Sequence, residues 1–140
     1  MQDLELAEHR LKQKNLDLVI AKDGRIIFEN GSPGIGALLH AIEKLGKEAI
    51  GSSVADRIVG RAAAMLCAYS KVASVFAVMM SEEGIKVLED NKIHYRFENR
   101  VQNILNQEGT DICPFEKLVM GFVKPEEAYK KLKSFLGAQE

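Results

Sequence analysis

The stretch that decides the fold runs from Ser53 to Tyr69 and reads SVADRIVGRAAAMLCAY. Its charged side chains are Asp56, Arg57 and Arg61, and most of the remaining residues are apolar or small. Ser53 followed three residues later by Asp56 resembles a capping box, with Asp in place of the usual Glu. We therefore predict one helix over the whole stretch. A helix that is apolar on nearly every face belongs between the layers of a domain.

The segments on either side carry the patterns of both helices and strands. The pair Asp23-Gly24 lies between two apolar runs and predicts a β-hairpin. Pro33 suits the first turn of a helix that Ser32 caps and that ends at Leu45. Further patterns predict strands at residues 72–79 and 93–97 and helices at residues 2–14, 81–91, 99–108, 111–119 and 125–136. Strand–helix–strand units after a hairpin predict an α/β fold with a three-layer α-β-α architecture and a mixed sheet.

Composition restricts the class of protein. The 140 residues, 46% of them hydrophobic and 28% charged, suit a single domain over residues 1–140 with a helical C-terminal tail. The net charge is −1 and no basic stripe stands out, so we expect no nucleic-acid partner. The longest apolar stretch, residues 72–80, is too short to span a bilayer, so we expect no membrane partner. Two cysteines and an N-terminus without a signal-peptide pattern favour a cytoplasmic protein.

Two predicted helix starts carry a resemblance to a known fold. The central helix opens with SSVAD at residues 52–56, and the helix after the next strand opens with MSEEG at residues 80–84. Together with the hairpin, this order over residues 15–97 resembles the cytidine-deaminase-like fold. In that fold the first helix opens with His-Ala-Glu and the second with Pro-Cys-x-x-Cys, and the His and the two Cys side chains hold zinc. The resemblance puts Val54 at the His position, Asp56 at the proton-transferring Glu, and Ser81 and Gly84 at the two cysteines.

These residues do not suit a zinc site. Valine and glycine offer no ligand atom, and a serine hydroxyl is a poor ligand for a metal that needs about three protein ligands. Because zinc generates the hydroxide nucleophile of deaminases, the resemblance implies no zinc cofactor and no zinc-dependent deamination. Nearly the whole chain is also similar to a small family of uncharacterised bacterial proteins that share this fold without its metal motif. The string from Ser53 to Ala64 carries that second resemblance, which implies a fold and no activity.

Asp56 is the strongest candidate for a functional residue. On the predicted helix it would lie in the first turn, above the small residues Gly60, Ala63 and Cys67, which leave room for a ligand or for the sheet. Its carboxylate suits a helix cap or a group that faces a ligand. It also suits a base, a nucleophile or an acceptor of covalent modification such as ADP-ribosylation. The residues alone leave these alternatives open.

Other features suit either phosphate binding or a simple structural role. Arg57 and Arg61, four residues apart, could hold a phosphate or pair with carboxylates at the rim of the core. The string NGSPGIG at residues 30–36 could cradle a phosphate with its backbone amides or form only a turn before a helix. Ser81 is most simply the cap of the helix that follows it. The candidate ligand-binding set is Ser53, Val54, Asp56, Arg57, Ser81 and Gly34.

Three functions from different classes follow. The first is a non-catalytic protein that binds, or is modified by, a nucleotide-like or ADP-ribose-like molecule near Asp56. The second is a metal-independent enzyme that uses Asp56 as a base or a nucleophile. The third is a structural or partner-binding domain. The resemblance to deaminase-like folds also implies a homodimer.

Overall fold

The computed structural model describes residues 2–138. In chain order its elements are α1 (Gln2–Gln13), β1 (Leu18–Lys22), β2 (Arg25–Asn30), α2 (Ile35–Leu45), a short 3-10 helix (Gly46–Ala49), β3 (Ser53–Val59), α3 (Arg61–Tyr69), β4 (Ser74–Ser81), α4 (Glu82–Asp90), β5 (His94–Val101), α5 (Pro114–Leu118) and α6 (Pro125–Ala138). The five strands form one sheet in the order β2-β1-β3-β4-β5. β1 is antiparallel to β2 and β3, whereas β3, β4 and β5 are mutually parallel. The predicted mixed sheet of an α/β fold is confirmed.

Helices cover both faces of this sheet. On one face, α1 buries Leu4 and Leu11 against Val19 and Phe76. On the other face, α2, α3, α4 and α6 pack together over the sheet. α3 lies at the centre of that layer, and every residue from Ala62 to Cys67 is buried. The chain therefore has three layers, as the sequence predicts.

Residues 53–59 form a strand, so the prediction of one helix over Ser53–Tyr69 is wrong in its first part. Three of the seven residues of β3 are valine or isoleucine, and β-branched side chains favour the pleated surface of a strand. β3 pairs with β1 on one side and with β4 on the other, which makes it a central strand. The helix begins only at Arg61, after Gly60. A short apolar run has no periodicity that separates a buried strand from a buried helix.

The hairpin predicted at Asp23-Gly24 is confirmed. Asp23 has φ 53° and Gly24 has φ 77°, and a type I′ turn requires positive φ at both central residues. The two backbone amides of this turn donate to the carboxylate of Asp3 on α1, at 3.0 and 2.9 Å. The hairpin is therefore fixed to α1.

Two local predictions are wrong. The helix predicted at residues 99–108 is absent, because β5 continues to Val101 and residues 102–113 form a loop with a single bridge between Leu105 and Ile112. Ser32 does not cap α2, since Gly34 occupies the cap position and α2 has no side-chain cap. Among the described residues, no helix combines the length and the hydropathy needed to cross a bilayer.

Candidate functional site

A cavity of about 530 Å³ lies at the carboxyl end of β3. Ligand sites of α/β proteins lie preferentially at this edge of the sheet. Half of the lining comes from the elements around the sheet, namely Asp17, Pro33, Gly34, Ile35, Asp56, Arg57, Ile58, Gly60 and Ala63. The other half comes from residues 104–108 and 113–116. These belong to the segment Gln102–Phe122, which we call the cover segment. The lining is mostly apolar, with a few carboxyl groups.

Asp56 lies on β3 at this cavity and is half-buried. Burial raises the pKa of its carboxyl group to about 7, and the negative charge of Asp17 acts in the same direction. The backbone amides of Ile58 and Arg57 oppose this rise. Asp56 therefore does not cap a helix, and it titrates close to neutral pH inside a largely apolar cavity.

Cys67 lies beneath the cavity on α3. Its side chain is buried, and burial together with the negative charge of Asp56 raises the pKa of the thiol. The thiol is therefore neutral at physiological pH. Because only the thiolate is an effective nucleophile, Cys67 acts here as a small core residue.

Gly34 brings the first turn of α2 to the same cavity. It has φ 99° and ψ 175°, a backbone conformation that is strained for any residue with a Cβ atom. The first turn of α2 has no acidic residue and no side-chain cap. Its amino end therefore presents backbone amides beside the cavity, the arrangement that attracts anions.

Arg57 points away from Asp56, because adjacent residues of a strand face opposite sides of the sheet. Its guanidinium donates to the carbonyl of Leu16 (2.8 Å), the carbonyl of Leu11 (3.3 Å) and the side chain of Asn15 (3.2 Å). These acceptors lie at the end of α1 and just after it. Arg57 thus satisfies carbonyls at the carboxyl end of that helix and pairs with no carboxylate among residues 2–138.

Arg61 binds the carboxyl end of the cover segment. Its guanidinium donates to the backbone carbonyls of Val119, at 3.2 Å, and Phe122. It also lies 3.5 Å from the carboxylate of Glu83. The sequence-based prediction that Arg61 pairs with a carboxylate is confirmed in part, since most of its donors bind backbone oxygens.

Glu116, on the cover segment, caps α3. Its two carboxylate oxygens accept from the backbone amides of Arg61 (2.7 Å) and Ala62 (2.8 Å). Burial raises the pKa of this carboxyl group, and the two amides oppose the rise. The contact joins residues more than fifty positions apart, so no local pattern could predict it.

The remaining candidates of the predicted ligand-binding set lie outside the cavity. The hydroxyl of Ser53 lies 2.7 Å from that of Ser74 and is buried at the start of β3 and β4, the far end from Asp56. Val54 is fully buried in the core. Ser81 accepts from the backbone amide of Gly84 at 3.0 Å and caps α4, which confirms the cap. The structure therefore brings Asp56, Arg57 and Gly34 to one cavity and separates Ser53, Val54 and Ser81 from it.

The element order also changes where zinc ligands would stand. The helix after the hairpin is α2 and the helix after the next strand is α3, so the positions assigned to residues 52–56 and 80–84 are wrong. The corresponding helix starts are residues 34–36 and 60–63, which read GIG and GRAA. Neither offers a His or Cys side chain, and no group of three or more potential metal ligands exists within residues 2–138. The residues present at these helix starts do not fit a zinc site.

A second depression, of about 490 Å³, lies at the amino ends of the strands. It is lined in part by Lys47, Tyr69, Lys71 and Tyr129. The rings of Tyr69 and Tyr129 stack at 4.0 Å between centroids, and the hydroxyl of Tyr129 donates to Glu43 at 2.7 Å. The hydroxyl of Tyr129 and the carboxylate of Glu43 are thus paired with each other, whereas the cavity at Asp56 holds a carboxyl group of raised pKa and is the better candidate.

Comparison with known proteins places the chain in a family. The family model described as TM1506, domain of unknown function (DUF1893), matches residues 6–136. The chain belongs to the DUF1893 family. The crystal structure of a DUF1893 protein from Thermotoga maritima, at 2.70 Å resolution, superposes with a TM-score of 0.87 at 28% identity, covering 94% of this chain and 88% of that one. No curated protein sequence matches the chain.

Two more distant neighbours of this DUF1893 chain support the deaminase-like fold. RibD of Acinetobacter baumannii (form 1) aligns with a TM-score of 0.51 at 20% identity, over 78% of this chain and 32% of that one. The diaminohydroxyphosphoribosylaminopyrimidine deaminase/5-amino-6-(5-phosphoribosylamino)uracil reductase of Thermotoga maritima aligns with a TM-score of 0.51 at 18% identity, over 84% and 40%. The chain thus spans less than half of these two proteins. At such identity the likeness shows the fold alone.

Proposed function

We propose that this DUF1893 protein binds a small nucleoside-like molecule in the cavity at Asp56 and does so without zinc. The observation that carries the proposal is a carboxyl group with a pKa of about 7 in a largely apolar cavity. A volume of about 530 Å³ lies within the range of small-molecule sites, about 300–1,000 Å³. The backbone amides of Ile58 and Arg57 already bond the carboxyl group of Asp56, and a ligand that adds a further hydrogen bond to it would stabilise it more.

The chemistry of Asp56 favours a heterocycle that carries an amino group. A carboxyl group that titrates near neutral pH is able to accept hydrogen bonds in its ionised form and to donate one in its protonated form. The amino group and ring nitrogen of an aminopyrimidine or a purine match both oxygens at once. Ile35, Ile104 and Phe115 in the lining provide apolar contact for a flat ring.

Charge in the cavity indicates where a phosphate would and would not fit. Four carboxyl groups line it, those of Asp17, Asp56, Glu108 and Glu116. The guanidinium of Arg57 is bound to oxygens at the end of α1. A phosphate is therefore unfavourable near Asp56 and would fit only at the amino end of α2. A nucleotide or ADP-ribose would bind with its base or ribose at Asp56 and its phosphates beside Gly34.

Isothermal titration with cytidine, adenosine and ADP-ribose tests the proposal. We expect at least one of them to bind the wild type and Asp56→Asn to lose about tenfold or more in affinity, as for a hydrogen bond to a charged group. Asp23→Asn is the matched control, because it makes the same chemical change in the hairpin turn, where Asn is well tolerated. Absence of binding to the wild type, or equal affinity of Asp56→Asn, would overturn the proposal.

A second candidate is a metal-independent enzyme that uses Asp56 as a general base. The pKa of about 7 favours it, because a general base works best when its pKa is near the operating pH. Incubation of the same nucleosides with the protein, followed by chromatography for deaminated base or released ribose, would detect turnover. Conversion by the wild type that Asp56→Asn abolishes would establish the enzyme over the binding protein.

Covalent attachment at Asp56 is the third form that the same site chemistry allows. A carboxylate oxygen is able to attack the anomeric ribose carbon of a nicotinamide dinucleotide and form an ester while the bond to nicotinamide breaks and nicotinamide leaves, as in ADP-ribosylation. Intact-mass measurement of the protein as purified would reveal an added group, and peptide mapping would show whether it lies on Asp56. A measured mass equal to that of the unmodified chain would contradict covalent attachment and would not contradict reversible binding.

A further inference from the structure

The hydrogen bonds that join the cover segment to the rest of the molecule lie at one place, whereas its apolar contacts, such as that of the Phe115 ring with Phe135 at 5.6 Å between centroids, reach α6 and the core. Among the described residues, its hydrogen bonds to other elements all involve Arg61 or Ala62, at the start of α3. The polar contacts of its apex, where Asn106 bonds Thr110 and Asp111, stay within the segment. Residues 107–111 at that apex are exposed. Loss of the contacts at α3 would therefore leave residues 102–113 without a polar contact to another described element, while Phe115 and Val119 keep their apolar contacts.

Gly60 makes close contact with this segment. A Cβ atom on Gly60 would lie 2.1 Å from an oxygen of Glu116 and 2.7 Å from the side chain of Ile104. Both neighbours are side chains of the cover segment. The absence of a side chain at Gly60 thus lets Glu116 reach the amides of α3 and lets Ile104 pack over the cavity, where it is 9% exposed.

We propose that the cover segment is a lid over the cavity and that Glu116 is its latch. Half of the residues that line the cavity belong to the lid, so its opening removes one wall and admits a ligand. Release of the carboxylate of Glu116 leaves Arg61 to hold the segment through the carbonyls of Val119 and Phe122. Val119, which is buried in the core, then acts as the hinge, and residues 102–118 move, so that opening also separates Phe115 from Phe135. The claim that the lid controls access of a ligand rests on the function proposed above. The claim that the lid opens does not depend on it.

The two cysteines provide a test that needs no ligand. Cys113 lines the cavity on the lid and is half-buried, whereas Cys67 is buried in α3. We would measure alkylation of each thiol by iodoacetamide, by peptide mass spectrometry, in the full-length protein. Glu116→Gln removes the charge of the latch, and Gly60→Ala displaces the latch while keeping its charge. We expect both variants to increase the rate at Cys113 about tenfold, as for loss of a charge-assisted hydrogen bond, and to leave Cys67 unreactive.

Glu126→Gln, on the exposed surface of α6 where Glu126 pairs with Lys130, is the control and should keep the wild-type rates. Amide hydrogen exchange gives a second readout, in which residues 104–113 should lose protection in both latch variants while β4 keeps it. Unchanged labelling of Cys113 in both variants would overturn the lid. Equal acceleration at Cys67 would also overturn it, because the whole fold would then be loosening. If no nucleoside binds the wild type, the function proposed above fails and the labelling still decides the lid.

Discussion

Asp17 and Asp56 line the same cavity, and the negative charge of Asp17 raises the pKa of Asp56 beyond the effect of burial. The two are neighbours because Leu18, the first residue of β1, pairs with Asp56 on β3. Like charges that share a poorly solvated site disfavour the ionised form of one of them. The cavity thus holds a carboxyl group that is able to change its charge near neutral pH.

The contribution of Asp56 to stability should therefore fall as the pH rises from about 4 to about 7. In this window the carboxyl group of Asp56 is protonated in the folded chain, where its pKa is about 7, and ionised in the unfolded chain, where its pKa is 3.8. The folded chain binds more protons there, so an increase in pH favours unfolding. After allowance for solvent screening in an open cavity, we expect the contribution of Asp56 to the free energy of unfolding to fall by roughly 2 kcal/mol across this window.

Urea unfolding of the wild type and Asp56→Asn at pH 4 to 8 would measure this effect. Relative to the wild type, Asp56→Asn should become more stable by roughly 2 kcal/mol as the pH rises through the window. Asp17→Asn should shift the window to lower pH, since it removes the charge that raises the pKa of Asp56. A constant difference between Asp56→Asn and the wild type would mean that Asp56 titrates normally.

The paired hydroxyls of Ser53 and Ser74 stabilise the start of two parallel strands. They lie 2.7 Å apart and are 5% and 2% exposed. Ser53→Ala or Ser74→Ala leaves one buried hydroxyl without this partner, which should lower the free energy of unfolding by about 1–2 kcal/mol. The double variant should lose less than the sum of the two single variants, because no hydroxyl remains unpaired. Additive losses in a urea-unfolding cycle would show that the two hydroxyls do not interact.

Arg57 should affect stability and leave nucleoside binding unchanged. Its guanidinium satisfies the carbonyls of Leu11 and Leu16 on the side of the sheet opposite Asp56. Arg57→Gln should therefore lower the free energy of unfolding by about 1–3 kcal/mol. Thermal unfolding and titration with the same nucleosides would measure both quantities. Weaker binding at unchanged stability would instead place the guanidinium at the ligand.

Local signals in the sequence predicted much of the fold. Asp23-Gly24 specified the hairpin through its positive φ angles, and Ser81 specified the start of α4 through a hydroxyl that reaches the amide three residues on. Each of these signals depends on residues that are neighbours in the chain. The prediction for β3 was wrong because its apolar pairs, Val54-Ala55 and Ile58-Val59, are too short to separate a buried strand from a buried helix.

The candidate site was harder to predict because its parts come from distant positions. The sequence singled out Asp56 as a residue of a helix start, which is wrong. Asp56 lies at the cavity because it belongs to a central strand. Glu116 and Ile104 reach Gly60 from the cover segment, whose first half was predicted to be helical. The small residue at position 60 was a usable signal, because a glycine between a strand and a helix often permits close approach of another group.

Gly84 lies where α4 closely contacts the junction of β3 and α3. A Cβ atom there would lie 2.9 Å from the carbonyl oxygen of Val59 and 3.1 Å from that of Gly60. These neighbours are backbone atoms of buried residues and cannot move as a side chain can. Gly84→Ala should therefore lower the free energy of unfolding by about 1–3 kcal/mol, as for other overpacked sites, although alanine favours a helix.

Gly137→Ala on α6 is the matched control for this change. Within residues 2–138, no atom lies within 4 Å of a Cβ at that position, so only the helix propensity of alanine acts, and it should add up to about 1 kcal/mol. Urea unfolding of the two variants should thus give opposite signs for the same substitution within a helix. Equal effects would show that α4 is able to move away from the β3–α3 junction, and the wall of the cavity at Gly60 would then be less rigid than the contacts of Gly84 imply.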